Sequence, residues 1–426
     1  MTVLALDIGS SSVRAQRFDG DAEPAGELRR ERYDTNDADE VAALVRRVLA
    51  GEEPDGTSCF AHSLVAVDRE FRPLTPILGW RDTRSAGAAE WLRRRLDGEA
   101  VHARTGAFLH PSFWPAKLAW LAETEPEIFR RAAFFVSFSD VVRGAPETSL
   151  SMASATGLLD LTTGGWDGEL LATLGLDAER LPRLVDQPVW LDASCSNLGA
   201  GCTDRSRAAL MVGTSAALRV FYATEQPQPT PGLFLYRHDE RHVIEGGALS
   251  DGGNLRAWLE RTLKEADGSF ADRDPSDHGL TFLPFLGGER STGWDPEARG
   301  SILGLTFATT PLDLRQAALE GVGFRFAAIA DLLPDVDELV ATGGGLEHAP
   351  EWIQVIADAL ARPVYRSSVR EASLRGAAVA ILRQSGSEPV NPPLGQVVHP
   401  REERAEAYRL ARERQQRLYE VIRGEH

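Results

Sequence analysis

Leu4–Phe18, LALDIGSSSVRAQRF, and Leu210–Tyr222, LMVGTSAALRVFY, share one outline: an apolar run, a turn of glycine and hydroxylated residues, and a second strand-like run. Each reads as a β-hairpin. The tips are Gly9, Ser10, Ser11 and Ser12 in the first and Gly213, Thr214 and Ser215 in the second. Residues this short let backbone N–H groups and hydroxyls approach phosphate oxygens closely. Two such tips could hold one nucleotide from opposite sides. An acid, Asp7, stands two residues before the first glycine, where the second hairpin has Met211; that asymmetry suits one half carrying a metal. Hairpins of this outline also occur without a nucleotide, so the tips alone leave a structural reading open.

Working outward, 426 residues are too many for one core and suggest two or three domains. A formal net charge of −17 disfavours nucleic acid or an anionic membrane as partner, since neither attracts an acidic surface. A small anionic ligand remains compatible where Arg, a metal and amides outweigh the global field. No apolar run approaches the roughly 20 residues that span a bilayer. Cys59, Cys195 and Cys202 are an odd number without metal-site spacing, and the strand-like MTVLALDIG start resembles no signal peptide. A reduced cytoplasm is the expected location, with buried, inert thiols.

After the first hairpin, apolar residues at 41, 44, 45, 48 and 49 predict an amphipathic helix, and Ser58–Asp68, SCFAHSLVAVD, reads as a strand. A proline-containing loop, PLTPILGWRDTRS, precedes a helix for which Ser85 is a suitable N-cap. The stretch before the second hairpin has turn residues and little periodicity, which places a domain boundary near Asp204 and divides the chain into 1–204 and 205–426. Beyond it, DELVATGGGLEHAPEWIQVIADAL predicts strand, glycine turn and helix, with Pro350 in the first helical turn. Gly343, Gly344 and Gly345 leave a strand end bare, where a flat ring or its ribose could lie. A tight turn touching nothing is the plain alternative. The charged C-terminal segment reads as an amphipathic packing helix.

Phosphoryl transfer needs amides and metal to neutralise phosphate charge, a carboxylate to take the proton of the attacking hydroxyl, and a dry, aligned site. The hairpins and Asp7 supply the first. For the second, Asp192 in WLDASCSNLGAGC is the candidate, an acid in a loop of small residues at the junction of the halves.

At this point the chain resembles the FGGY carbohydrate kinases, and within them the gluconokinase branch. The resemblance runs almost end to end, through LALDIGSSSVRA, HSLVAVD, LGWRDTRS, TGAFLHPSFWPAKLAWL, SMASATGLLDL, SNLGAGC, MVGTSAALRV, EGGALSDGGNLRAW, LPFLGGERSTGW, ALEGVGFRF, ATGGGLEHAPEWIQVIADAL and EASLRGAAVAIL. It implies an α/β fold of two actin-like ATPase (ribonuclease H-like) domains with ATP and sugar meeting in a central cleft. Asp7 would hold Mg²⁺, Gly9 to Ser12 with Arg14 and Gly213 to Ser215 would cradle phosphates, and Gly343 to Gly345 would bound the adenosine pocket. Asp192 would be the general base. Ala61, His62, Trp80, Asp82, Arg84, His110 and Asn197, with Ser112, would meet a small sugar or sugar acid. Homodimers are common in such a family.

Packing readings stand beside these. Trp80 and Trp114 could be core residues, and Asp82 with Arg84 an internal ion pair bracing a loop. Two departures from the family's pattern stand out: Leu191 and Ala193 flank the acid where the family has glycines, and the segment 181–189 is short. Either change could reshape the sugar pocket. Another kinase substrate (xylulose, ribulose or a polyol), or a catalytically weakened ATP- and sugar-binding relative, is therefore the alternative. HPSFWPAKL and SMASATGLLD favour gluconate, and retention of Asp7 and Asp192 favours catalysis.

Overall fold

The computed structural model describes residues 2–264, 268–269, 273–275, 277–347 and 350–424. By backbone contacts these divide into two units. One comprises residues 1–203, 221–245 and 371–392; the other comprises 204–220, 246–370 and 393–426. The units interleave in sequence, so neither is one of the contiguous stretches 1–204 and 205–426 expected from the sequence alone.

In the first unit Val3–Ile8 is buried at every position, as a strand covered on both faces must be. It lies inside a five-stranded sheet ordered Arg29–Arg32, Ser12–Phe18, Val3–Ile8, Gly56–Cys59, Val189–Leu191. The first three strands form an antiparallel meander, and the last two run parallel to Val3–Ile8. Helix Ala38–Leu49 packs against the meander strands. Asp37 caps its N-terminus by accepting from the Glu40 N–H, and Ala50 closes it in the left-handed region. Helix Ala372–Gln384 packs on Val3–Ile8, on Gly56–Cys59 and on helix Asp192–Gly199. That last contact is backbone to backbone. A Cβ on Gly199 would strike the Ala372 carbonyl and one on Gly376 the Cys195 carbonyl, so Gly199 and Gly376 serve a helix crossing.

Two expectations are corrected. Ser58–Asp68 is not one strand: Gly56–Cys59 belongs to the main sheet and Val65–Val67 to a two-stranded sheet with Phe134–Val136. The chain turns between them, with His62 at φ 65°. Asp192 is not in a loop either; it is the first residue of helix Asp192–Gly199. A second apolar cluster of this unit gathers around Trp114, Leu118, Leu121, Phe135, Leu158 and Leu170 and carries the loops discussed below.

The second unit is built on neighbouring strands Ala216–Ala223, Arg207–Val212, Glu338–Thr342, Val364–Ser367 and Leu394–Val398. Here too an antiparallel hairpin is extended by parallel strands, the last strand returning antiparallel. Helix Pro311–Ala330 is buried nearly all round and packs on Pro350–Leu360, while Ala405–Gly424 lies over Thr281–Leu283.

Candidate active site

Parallel pairing sets Ile8, Cys59 and Leu191 side by side at the carboxyl ends of their strands. The first tip, Ala61 with His62, and Asp192 follow directly from those three ends, which is where open α/β sheets place ligands. Asp7 lies opposite Arg14 in the hairpin and opposite Ser58 in the parallel pair. Both neighbours engage it: Ser58 Oγ donates to Oδ1 at 2.7 Å, and Arg14 Nη2 lies 2.6 Å from Oδ2. The other arm of Arg14 donates to Glu371 at 2.6 Å. Burial pushes the Asp7 carboxyl up from its ordinary value, with Arg14 opposing. Oδ2 has no hydrogen-bond partner of good geometry despite the ion pair. A buried carboxylate oxygen of this kind suits a cation held by one carboxylate and by phosphate oxygens; among the described residues no group of three or more His, Cys, Asp and Glu forms a complete metal cage.

The tip beyond Asp7 is closed by the Gly9 N–H donating to the Ser12 carbonyl at 2.9 Å. Tyr33 fastens it from the side, its hydroxyl to the Gly9 carbonyl and its N–H to the Ser11 carbonyl at 3.0 Å. Ser10 and Ser11 face solvent.

Asp192 is half-buried at the head of its helix, and its charge raises the Arg14 guanidinium, though less than the nearer acids do. Two hydrogen bonds fix this turn. Ser194 Oγ donates to the Leu191 carbonyl at 3.0 Å, and His238 Nδ1 lies 2.9 Å from the same hydroxyl. Since the serine proton is committed to Leu191, His238 carries its own proton on Nδ1. Burial pulls this imidazole down to about 4, so it is neutral near pH 7. Asn197, five residues on, is fully enclosed and leaves the helix on a different side from Asp192.

The expected sugar contacts form two neighbouring loops. Ala61 and His62 are half-buried; His62 Nδ1 donates to the Ala155 carbonyl at 2.7 Å, and its ring meets Phe113 and Tyr236 edge-on at 4.8 and 5.8 Å. Leu64 and Leu78 exchange backbone hydrogen bonds, which joins this loop to the one carrying Trp80, Asp82 and Arg84. Ser112 Oγ donates to the Trp80 carbonyl at 3.2 Å and also approaches His110 Nδ1. Asp82 and Arg84 form the internal ion pair that was the plain alternative, 2.5 Å apart; against its burial, Arg84 draws the Asp82 carboxyl below its ordinary value, and Arg84 also lies over the Trp120 ring. Trp114 is core, its Nε1 donating to the Ser63 carbonyl at 2.9 Å. Ser85 holds the N-cap position but bonds the Pro111 carbonyl instead of its own helix. All three cysteines are buried and none of them is in a disulfide, and burial pushes the Cys59 and Cys195 thiols well up, which fits inert thiols.

In the second unit the Gly213 N–H donates to the Ser215 carbonyl at 2.9 Å, giving a tip one residue tighter. Met211 lies opposite Ala217 and Thr342. The N-terminus of helix Gly253–Thr262 is docked on the tip: the Gly253 and Asn254 N–H groups donate to the Gly213 and Thr214 carbonyls at 2.8 and 3.0 Å. A Cβ on Gly253 would come within 2.6 Å of the Gly213 oxygen. Gly343, at φ 95°, and Gly345 are glycines because a Cβ on either would meet the Val212 carbonyl; around Gly344 there is open space. Two of the three glycines therefore serve strand packing, and Gly344 alone offers the bare surface expected for a ring.

The sequence reading missed the segment Leu233–His238, which follows the second hairpin yet belongs to the first unit. The Leu235 N–H donates to the Gly106 carbonyl at 3.0 Å, His102 Nε2 meets the Leu233 carbonyl at 2.7 Å, Tyr236 faces His62 and His238 supports the Asp192 turn. Its uniformly buried run FLYR signals a strand, but no local pattern says which sheet it serves. In the second unit, burial pushes the Asp251 carboxyl up to about 7.

Comparison with known proteins bears on the family and the fold. The N-terminal domain of the FGGY family of carbohydrate kinases matches residues 55–189, and the C-terminal domain matches 208–384. A gluconokinase of Bacillus licheniformis is 27% identical over 96% of this chain and 93% of its own length. A glycerol kinase of Thermus brockianus is 32% identical over 72% of this chain and 71% of its own. A crystal structure of gluconate kinase from Lactobacillus acidophilus superposes with a TM-score of 0.87 at 23% identity, covering 99% of this chain and 98% of that one. The two-domain actin-like ATPase fold is thus the fold of this chain. No helix among the described residues is long and apolar enough to cross a membrane.

Proposed function

Because the chain belongs to the FGGY carbohydrate kinases, and so transfers a phosphoryl group from ATP to an alcohol of a small sugar-like substrate, we propose that its acceptor is D-gluconate and its product 6-phosphogluconate. The observation that supports gluconate is the nearly full-length likeness to a gluconokinase. Fold carries no weight here, since a xylulose kinase from Lactobacillus acidophilus superposes equally well, with a TM-score of 0.87. The 32% identity to a glycerol kinase favours a polyol as the second reading.

In this reading Asp192 takes the proton of the terminal hydroxyl as its oxygen attacks the γ-phosphorus and the bond to the β-phosphate oxygen breaks, releasing ADP. Gly9 to Ser12 and Gly213 to Ser215 hold phosphate oxygens through amides and hydroxyls, and Arg14 adds charge. Asp7 would hold Mg²⁺, whose chemistry is to neutralise phosphate charge. His62, Trp80, Asp82 and His110 bound the acceptor. The test is ADP release with Mg-ATP over gluconate, xylulose, ribulose and glycerol. Gluconate is expected to give the highest kcat/KM; a tenfold preference for another member would replace the substrate, and no turnover with any would remove the reading.

A further inference from the structure

We propose that Lys117 is a positioning residue for the acceptor, a buried strut that sets the spacing of the loops carrying His62 and Trp80. This rests on the reading of those loops as the acceptor site. Lys117 is one of two lysines in the chain, and it is 1% exposed, on helix Trp114–Thr124. Its Nζ donates to the His62 carbonyl at 2.6 Å and to the Leu78 carbonyl at 3.0 Å. The backbone bridge between Leu64 and Leu78 joins the same loops, and Lys117 extends that bridge to the residue where the first loop turns.

His62 needs such a hold. Its φ of 65° lies where a side chain crowds its own backbone and glycine is usual. Two hydrogen bonds help to fix it there, from the ring to the Ala155 carbonyl and from Lys117 to its own carbonyl, beside its ring contacts with Phe113 and Tyr236. Trp114, one turn earlier on the same helix, holds the next carbonyl, that of Ser63. One helix end thus grips three carbonyls of the two loops, and of Trp114 and Lys117 it is Lys117 that reaches both loops.

Burial pulls the Lys117 amine down to about 7, against the pull of Asp82. The strut does not depend on charge: a neutral amine still has two N–H groups, and two carbonyls accept them. A lysine that merely filled space would be replaced by methionine, of similar length and apolar, without consequence for the loops.

The experiment is steady-state kinetics of the full chain as Lys117→Met and Lys117→Arg, with ATP and each acceptor varied in turn. For Lys117→Met the acceptor KM is expected to rise about tenfold or more, with the ATP KM within about twofold of wild type, because the loss falls on one side of the reaction. Should Lys117→Met not fold, Lys117→Arg decides: a planar fork cannot place both donors where one nitrogen stood, and the acceptor KM is expected to rise several-fold. An unchanged acceptor KM in the variant that folds, or a loss confined to ATP KM or to kcat, overturns the strut and leaves the kinase reading standing. A wild-type chain that phosphorylates no acceptor overturns both.

Discussion

The two hairpins share a backbone outline and differ in what stands around it. In the first, the residue two before the tip glycine is an acid flanked in register by arginine and serine, and the tip spans Gly9 to Ser12. In the second, the same place is methionine flanked by alanine and threonine, and the tip is shorter and sits against the start of a helix through Gly253. One strand end is organised by charge and the other by close backbone approach. The lesson is that a repeated hairpin outline need not repeat its chemistry: the side chains opposite the strand end differ, and with them what each end could hold.

The largest test of that division is Asp192→Asn. The amide keeps the shape and cannot take a proton, so turnover is expected to fall roughly 10²- to 10⁴-fold with ATP affinity retained. Asp251→Asn in the second unit is the matched control, and a loss as large as that of Asp192→Asn would break the comparison.

Next is Gly343→Ala. Both its φ of 95° and the Val212 carbonyl oppose a Cβ, so urea denaturation should show a loss of about 2 kcal/mol or more. Nucleotide affinity should fall with it while acceptor affinity, measured by calorimetry, holds.

A smaller effect is expected of His238→Ala, which unlocks Ser194 below Asp192. A loss in kcat of roughly fivefold is the worth of one hydrogen bond. His238→Asn, which restores a donor, should recover much of it.

A pH effect is expected at Asp251. Its carboxyl titrates at about 7 in the fold against an ordinary 3.8, so folding takes up a proton between those values. The stability it gives is complete below about pH 4 and is lost as the pH rises through 7. The melting temperature of Asp251→Asn should therefore gain on wild type between pH 5 and 8.

What the sequence disclosed followed local pattern. The hairpins were legible because apolar runs meet at glycine and serine. The helix Asp192–Gly199 was not, because ASCSNLG is small and buried nearly all round, with no polar face to betray a helical period. The break in Ser58–Asp68 was hidden because the left-handed turn falls on His62 and not on a glycine. Asp7 could be chosen from its position before the tip glycine, whereas His238 and Lys117 act through carbonyls and hydroxyls distant in sequence. Long-range packing of that kind leaves no local trace.

The central claim is that the first hairpin alone organises the cation, and its most direct measurement is Mn²⁺ binding, followed by electron paramagnetic resonance in the presence of a non-hydrolysable ATP analogue. Asp7→Asn should loosen Mn²⁺ about tenfold, the loss of one carboxylate contact, while Met211→Ala should bind as wild type does. Wild-type affinity in Asp7→Asn, in a protein whose melting shows it folded, or a comparable loss in Met211→Ala, would contradict the assignment.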